Sequence, residues 1–350
     1  MVHALRSSII VVTYNHRRHI EHCLRTLLPT LSGADEVVVV DNASADGTAD
    51  YIAAAFPSVR LVRRKDNPGF GAACNVGAGL STAEFLVFLN PDTEPQPGWL
   101  DALLAPLRSF PRVGLVTPKL LLRDRPELID TFGHDVHISG IATCRGWGEP
   151  ATAHPRVEEV AAVSGACFGI TRELFLRLGG FDARLFLYYE DDDLSLRARL
   201  AGLGCLAVPD AIVLHDHAEG VSAAKLRYLE RNRWFSVLRT YRWRTLAALL
   251  PVLAGAEILV WIHALRSGPA HIGAKGRAWR DLARMAPDLA SSRKRIQAER
   301  VVGDREMLRL HGARLPVAQV AQGFAAAAGE RMATAAFAGV RRVALALIAA

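Results

Sequence analysis

The chain has 350 residues, of which 51% are hydrophobic and 22% charged, enough apolar material for one large domain or a domain with an appendage. Its five cysteines (Cys23, Cys74, Cys144, Cys167, Cys205) are scattered and show no CxxC or CxxH spacing, which excludes a structural zinc site and fits a reducing compartment. The net charge of +7 hides an asymmetry: residues 1–224 carry 20 Lys+Arg against 27 Asp+Glu, and residues 225–350 carry 22 against 8, so an acidic body is followed by a basic part able to meet phosphates, anionic lipid or nucleic acid.

The N-terminal segment MVHALRSSIIVVTYN has only a short apolar run leading into a strand pattern, which is not the layout of a secretory signal. SIIVVTYN (8–15) then reads as a buried strand and HIEHCLRTLLPTL as a helix. EVVVVDN (36–42) is a strand apolar on both faces, and Ala45 to Phe56 a helix. VRLVRR (59–64) is extended, Gly71 to Leu80 helical, EFLVFLNPD (84–92) a buried strand, Gly98 to Leu107 a helix and VGLVTPKLL (113–121) extended again. Strands without alternation are buried on both faces, and strand–helix repetition predicts a parallel sheet with right-handed crossovers. From about Leu122 to Glu159 Gly and Pro punctuation predicts loops and short strands. VSGACFGITRELFLRLGGF (163–181) reads as strand, short helix and turn. FLYYEDDDLSLR opens a helix running to about Ala201, and GCLAVPDAIVLHDH (204–217) is extended.

Residues 225–350 read as helical. Leu246 to Leu265 is long enough to cross a bilayer. It contains Pro251, Glu257 and His263, however, and a buried Glu257 would be costly in lipid. The expectation is therefore an interfacial or packed amphipathic helix rather than a span. The domain reading is 1–235 for the α/β body and 236–350 for the helical extension.

Three strands end in polar residues: Thr13-Tyr14-Asn15, Asp41-Asn42 and Asn90-Pro91-Asp92. In open α/β sheets ligands sit at the carboxyl ends of strands. Ser44 or Asp46 would cap the helix after Asp41, but neither accounts for an acid at the strand tip, where it could accept a hydrogen bond from a base N–H. NPD alone is an ordinary turn; beside the other tips it suits a divalent cation held by one carboxylate and diphosphate oxygens. Asn67-Pro68-Gly69-Phe70-Gly71 opens a helix, but GFGAAC lacks the third glycine and follows the third strand, so it is no dinucleotide fingerprint. His215 and His217 share one face of a strand, and either could ligate a metal. In YLERNRW (228–234), Arg231 or Arg233 could neutralise a diphosphate; the plainer reading is a solvated helix with Glu230 and Arg233 as neighbours.

Taken in order, VVTYN, VVDNASADGT, NPGFGAACNVG, FLNPDT, SGACFGITRELFLRLGGFD, YYEDDDLSLRARLAG, VLHDH and YLERNRW resemble inverting family 2 glycosyltransferases of GT-A fold, most closely the rhamnosyltransferase-type members that build bacterial surface glycans. The resemblance covers about residues 7–235. It implies a mostly parallel central sheet followed by a helical extension. It also implies that Thr13, Tyr14 and Asp41 hold base and ribose, with Asn15, Asn67 and Asn90 on the nucleotide side. Asp92 becomes the metal-binding acid of a DxD-type motif with His215 completing the site for Mn²⁺ or Mg²⁺, and Asp191 the general base. Glu190 would shape the acceptor site, with His217, Arg231 and Arg233 near acceptor or diphosphate. Asp193 would make structural bonds, and Asp192, where the family usually has an apolar residue, would face solvent. The expected partners are a nucleotide-diphosphate sugar and a glycan or lipid-linked acceptor, with peripheral contact at the cytoplasmic face of the membrane, no nucleic acid, and room for self-association through the helical region. A nucleotide-sugar pyrophosphorylase would need a Gly-rich basic loop after its first strand, where this chain has Thr13-Tyr14-Asn15-His16. A non-catalytic binding protein of the same fold would have no need of intact Asp41, Asp92 and Asp191. A processive synthase would need several spans and QxxRW, where this chain has ERNRW.

Overall fold

The computed structural model describes residues 5–217, 220–315 and 324–349. They divide into two compact units. The first holds the chain up to His134, with Cys144–Ala198 and Leu203–His217; the second holds Asp135–Thr143, Arg199–Gly202 and the chain from Ala218 onward.

The first unit alternates strand and helix as the periodicity predicts: β1 (Ser7–Thr13), α1 (Arg17–Leu27), β2 (Asp35–Asp41), α2 (Thr48–Ala55), β3 (Arg60–Arg63), α3 (Phe70–Leu80), β4 (Phe85–Leu89), β5 (Thr93–Pro95), α4 (Trp99–Ser109) and β6 (Val113–Leu122). The irregular region resolves into β7 (Arg125–Thr131) and β10 (Glu158–Val160), and between them the short ribbon β8 (His134–Val136) with β9 (Ala142–Cys144), most of which is counted with the second unit. Then follow β11 (Cys167–Thr171), α5 (Arg172–Arg177), α6 (Glu190–Leu200) and β12 (Gly204–His215).

The central sheet runs β10-β12-β6-β11-β4-β1-β2-β3, with β5 added to β12 and β7 to β6. The β4-β1-β2-β3 block and the β6–β12 pair are parallel, while β11 enters antiparallel between β4 and β6. Pro209 and Asp210 lie where the β12 register slips against β6, the position a proline without an N–H would occupy. Strand alternation builds two cores. Ile9, Val11, Val37, Val39, Val87 and Leu89 face α1, α2 and α4 through Leu24, Ile52 and Leu103. Ile10, Val12, Val38, Val40, Leu86 and Phe88 face α3, α5 and α6 through Cys74, Phe175 and Leu194. Since both faces are covered, strand bodies are mostly apolar and their buried polar groups, such as Ser8, Thr117 and Lys119, are paired internally, which leaves the strand ends for ligand chemistry.

The second unit is helical: α7 (Ala223–Thr240), α8 (Trp243–Ser267), α9 (Pro269–Arg284), α10 (Ala286–Glu299), α11 (Asp304–Met307) and α12 (Phe324–Ala349). The YLERNRW helix thus groups with the helical unit. Helix α8 is long and apolar enough to cross a membrane by length and composition. One face is buried through Leu246, Leu249, Val252, Leu253 and Ala256, while Trp243, Leu250, Ile258, Ile262 and Leu265 are exposed. Glu257 is paired: Lys275 Nζ lies 2.8 Å away and the Trp279 indole N–H donates at 2.8 Å.

Candidate active site

Register brings the predicted strand tips to one edge. Thr13 pairs with Asp41 and Asp41 with Arg63, while β4 runs parallel beside β1 and ends one residue before Asn90. Asp41 is buried; its Oδ2 accepts the Ser44 N–H (3.0 Å), and its Oδ1 has no protein partner. Thr13 Oγ1 and Asn42 Oδ1 are likewise buried without partners. Buried polar atoms are ordinarily satisfied, so a row of orphans at one strand edge marks a place for a polar ligand. Tyr14 is exposed next to them. Asn15 adopts φ +55° and accepts from the Ala45 N–H (2.8 Å), clipping the β1 and β2 loops together. Ser44 Oγ accepts the Asn15 N–H, and the α2 N-terminus is served by Asp46, which accepts the Thr48 N–H at 3.1 Å. Asn67 Oδ1 accepts the Gly69 N–H (3.0 Å) and folds the NPG turn, and the Asn42 amide donates to Gly69 O at 3.3 Å. Asn90 is half-buried; its backbone bridges to Ala166 O (2.9 Å) and accepts from Thr93 Oγ1 (2.7 Å).

Strand β5 pairs antiparallel with β12, His215 opposite Thr93, and this sets His215 beside Asp92. His215 Nε2 lies 3.5 Å from Asp92 Oδ1, an oxygen that is itself buried without a hydrogen-bond partner. On the other side His215 Nδ1 meets Asp130 Oδ2 at 2.6 Å, and His217 Nδ1 meets Asp130 Oδ1 at 3.0 Å. Although burial disfavours charge on His215, hydrogen bonds to Asp130 and Asp92 push it up to about 10. Burial likewise opposes the ionisation of Asp130, yet these histidines hold its carboxyl down to about 2. Of the two histidines only His215 contacts both acids; His217 leans on the Trp147 ring at 4.6 Å. With the imidazolium proton displaced by a cation, an orphaned carboxylate oxygen facing His215 Nε2 is a donor set that fits Mn²⁺ or Mg²⁺ completed by phosphate oxygens, and a carboxylate behind the histidine fixes its orientation. The sequence reading missed Asp130; its signal is an acid closing the β7 run Leu128-Ile129-Asp130.

The acidic stretch begins α6, directly after Phe186, Tyr188 and Tyr189, all at positive φ. Asp191 Oδ2 accepts the Gly165 N–H at 2.5 Å and its Oδ1 the Asp192 N–H at 2.9 Å. A Cβ at position 165 would stand 2.8 Å from Asp191 Oδ2, so glycine there permits the approach. Burial, then the charge of Asp192, pushes Asp191 up to about 6. Burial and the Asp191 charge push Glu190 up to about 8, and Glu190 Oε2 is buried without a partner. Asp193 binds Arg197 (2.9 Å), as expected of a structural acid. Asp192 departs from its expectation: it does not face solvent but is 4% exposed, with Oδ1 3.0 Å from His134 Nδ1. A buried charge needs a partner, and His134, unnoticed in the sequence, supplies it.

Arg231 and Arg233 lie inside the helical unit. Arg233 is 2% exposed; its Nε and Nη2 donate to both Glu230 oxygens (2.8 and 2.7 Å) and its Nη1 to Ser139 O (3.0 Å). The Glu230–Arg233 neighbours are therefore a buried pair rather than a solvated one, and a guanidinium so engaged is not available to a diphosphate. Arg231 is also buried, with Nε donating to Asn232 Oδ1 at 2.8 Å.

Residues 8–139 match the family model described as "Glycosyl transferase family 2". An N-acetylglucosaminyl-diphospho-decaprenol L-rhamnosyltransferase of Mycobacterium tuberculosis is 33% identical over 236 residues, covering 60% of this chain and 76% of that protein. A pre-mycofactocin glycosyltransferase of the same organism is 29% identical over 198 residues, covering 55% of this chain and 40% of that protein. Among solved structures, GalNAc-T7 with UDP, GalNAc and Mn²⁺ superposes with TM-score 0.58 at 18% identity, over 83% of this chain and 58% of that one. S. aureus TarS 1-349 does so with TM-score 0.54 at 16% identity, over 97% and 91%; both show the fold. With a mixed α/β body, a mostly parallel curled sheet and a relative matched over three quarters of its length, the chain belongs to glycosyltransferase family 2 and is a GT-A nucleotide-sugar transferase.

Proposed function

We propose that the chain moves a sugar, with inversion, from a nucleotide-diphosphate sugar to a hydroxyl of a glycan or lipid-linked acceptor in cell-envelope polysaccharide synthesis. The observation that carries this is Asp191: a buried carboxylate held by two backbone N–H groups, with its proton affinity raised toward neutrality, in the same unit as the orphaned acceptors of the strand tips. A base for an acceptor hydroxyl works best with a pKa near the operating pH. In this reading Asp191 takes the hydroxyl proton as the oxygen attacks the anomeric carbon. Asp41 and Thr13 accept from the base and ribose, with Tyr14, Asn15, Asn67 and Asn90 shaping that side. Glu190, mostly protonated at neutral pH, donates to an acceptor oxygen, and His217 borders the same side. Asp92 and His215 would hold Mn²⁺ or Mg²⁺, which supplies positive charge to the departing diphosphate.

The mycobacterial relative is named as an L-rhamnosyltransferase for N-acetylglucosaminyl-diphospho-decaprenol, and this supports dTDP-rhamnose as first donor, ahead of UDP-sugars, and a lipid-linked acceptor. The apolar exposed face of α8 and the basic charge of residues 225–350 support peripheral contact with an anionic membrane at its cytoplasmic face.

The test is a thermal-shift panel with UDP, dTDP, GDP and ADP, each with Mn²⁺, Mg²⁺ or EDTA. One pyrimidine diphosphate stabilising only with metal is the expected result. Equal shifts with and without EDTA would remove the metal from the reading, and stabilisation by ADP alone would remove the donor class.

A further inference from the structure

Buried Asp192 and half-buried His134 form a pair that nothing in the transfer reaction, as proposed above, requires. The first turn of α6 already holds Glu190, Asp191 and Asp193, so a fourth buried acid is electrostatically unfavourable unless it does something. His134 opens β8, just after Gly133 at φ +80°, and its backbone N–H donates to Ala162 O at 2.8 Å. That anchor presents the ring to α6. Nδ1 lies 3.0 Å from Asp192 Oδ1 and 3.9 Å from Asp191 Oδ2, so one nitrogen faces both carboxylates.

Resting on the assignment of Asp191 as the base, we propose that His134, anchored by Asp192, is a positioning residue that places a fixed positive charge beside the Asp191 carboxylate and keeps it ionised and aimed. The charged groups facing His134 are Asp191 and Asp192 from α6 and, at longer range, Asp130 from β7. Those facing Asp191 are Asp192 and His134, with Glu190 beside it and the Gly165 and Asp192 amides on its oxygens. Burial alone would neutralise the ring, but the Asp192, Asp191 and Asp130 charges raise it to about 9. His134 therefore stays charged across the range in which Asp191 titrates. Asp192 serves both as anchor and as counter-charge: it orders the ring, and the imidazolium in turn opposes the charge by which Asp192 raises Asp191.

The test is carbon-detected NMR on the full chain labelled at Asp carboxyls and His rings, with the Asp191 signal assigned through D191N. In the wild-type chain the His134 ring is expected to titrate above pH 8 and Asp191 near 6; a His134 midpoint below 6.5 overturns the proposal without any variant. H134Q, which keeps a donor but loses the charge, is expected to raise the Asp191 midpoint by about one unit or more, and H134K to bring it back. Nucleotide-dependent thermal shifts should stay within those of the wild type, which a merely structural role would not predict. An unchanged Asp191 midpoint in H134Q beside an inactive D191N overturns the pair alone. Full turnover by D191N overturns the base itself and the proposal with it. Loss of Mn²⁺ affinity in H134Q, with the Asp191 midpoint unmoved, would make His134 a metal ligand and overturn the positioning role.

Discussion

Gly69 is the residue through which the NPGFG turn touches the loop that delivers the acids, and replacing it with alanine should disable the enzyme at the level of geometry. Its φ of +95° and ψ of 171° lie in a region closed to residues with a Cβ. A Cβ there would stand 2.2 Å from Phe186 O, 2.7 Å from Phe186 Cα and 2.8 Å from Phe186 C, all backbone atoms that cannot rotate away. The same carbonyl accepts the Phe70 N–H at 2.7 Å. Alanine therefore costs about 1–3 kcal/mol in backbone strain and about 1–3 kcal/mol for the hydrogen bond that must open. At about 2–4 °C per kcal/mol for a unit of this size, G69A should melt roughly 4–24 °C below wild type. Phe186 lies five residues before Asp191, so displacement of its carbonyl should also lower turnover by about 100-fold even at temperatures where the protein is folded. The control is G79A: Gly79 sits in α3 with nothing within 4 Å of the added methyl, so it should be neutral or stabilising by up to about 1 kcal/mol. Differential scanning fluorimetry and a donor-turnover assay on both variants decide the matter. If G69A melts and turns over like G79A, the close approach of Gly69 to Phe186 is not what holds the acidic loop.

D191N should bind nucleotide diphosphate normally and lose turnover by about 100-fold or more; turnover near wild type would remove it as the base. D92A or H215A should abolish the metal-dependent part of the nucleotide thermal shift while leaving the metal-free melting point within a few degrees, and an undiminished metal effect would place the cation elsewhere. In the helical unit, burial pushes His137 down to about 4 and His311 to about 3. Because the folded values lie below the unfolded one, the unfolded chain takes up protons first. This stability is present above pH 6.5 and falls as pH drops toward 4, by up to about 3 kcal/mol for His137; urea midpoints followed by Trp234, Trp243, Trp261 and Trp279 fluorescence should drop accordingly, and equal midpoints at pH 7 and 4.5 would refute it. K275M removes a fully buried ammonium that pairs with Glu230 and Glu257 and should destabilise that unit by about 3–5 kcal/mol; a change under about 1 kcal/mol in the same urea assay would show that the cluster relaxes around the loss.

What could be read from the sequence was what is local. Runs such as IIVV and VVVV announce strands covered on both sides, because they are short, β-branched and apolar without alternation, and their polar ends Thr13, Asp41 and Asn90 follow from chain order alone. What could not be read was set by pairings distant in sequence. Asp130 reaches His215 across 85 residues and His134 reaches Asp192 across 58, so neither pairing shows in any local stretch of sequence. The expectation that Asp192 faces solvent fails because its partner His134 is far away in sequence. For YLERNRW the sequence leaves open a diphosphate-binding Arg231 or Arg233 and a solvated helix, and the partners of Arg233 at Ser139 and Glu257 come from opposite directions along the chain.

The cluster of Arg233, Glu230, Lys275 and Glu257 also bears on how such a chain can be cut or recombined. Its four charges are contributed by α7, α8 and α9, and it is closed over by the Trp234 and Trp279 indoles, both of which donate to Glu257. A chain ended at residue 235, where composition changes, would keep Glu230 and Arg233 but discard two of the opposing groups, along with the helices that exclude water from them. The natural unit of exchange is therefore the whole α7–α9 block. Truncation or exchange within α7 should therefore leave a buried charge without its partner, whereas moving α7, α8 and α9 together keeps the cluster whole.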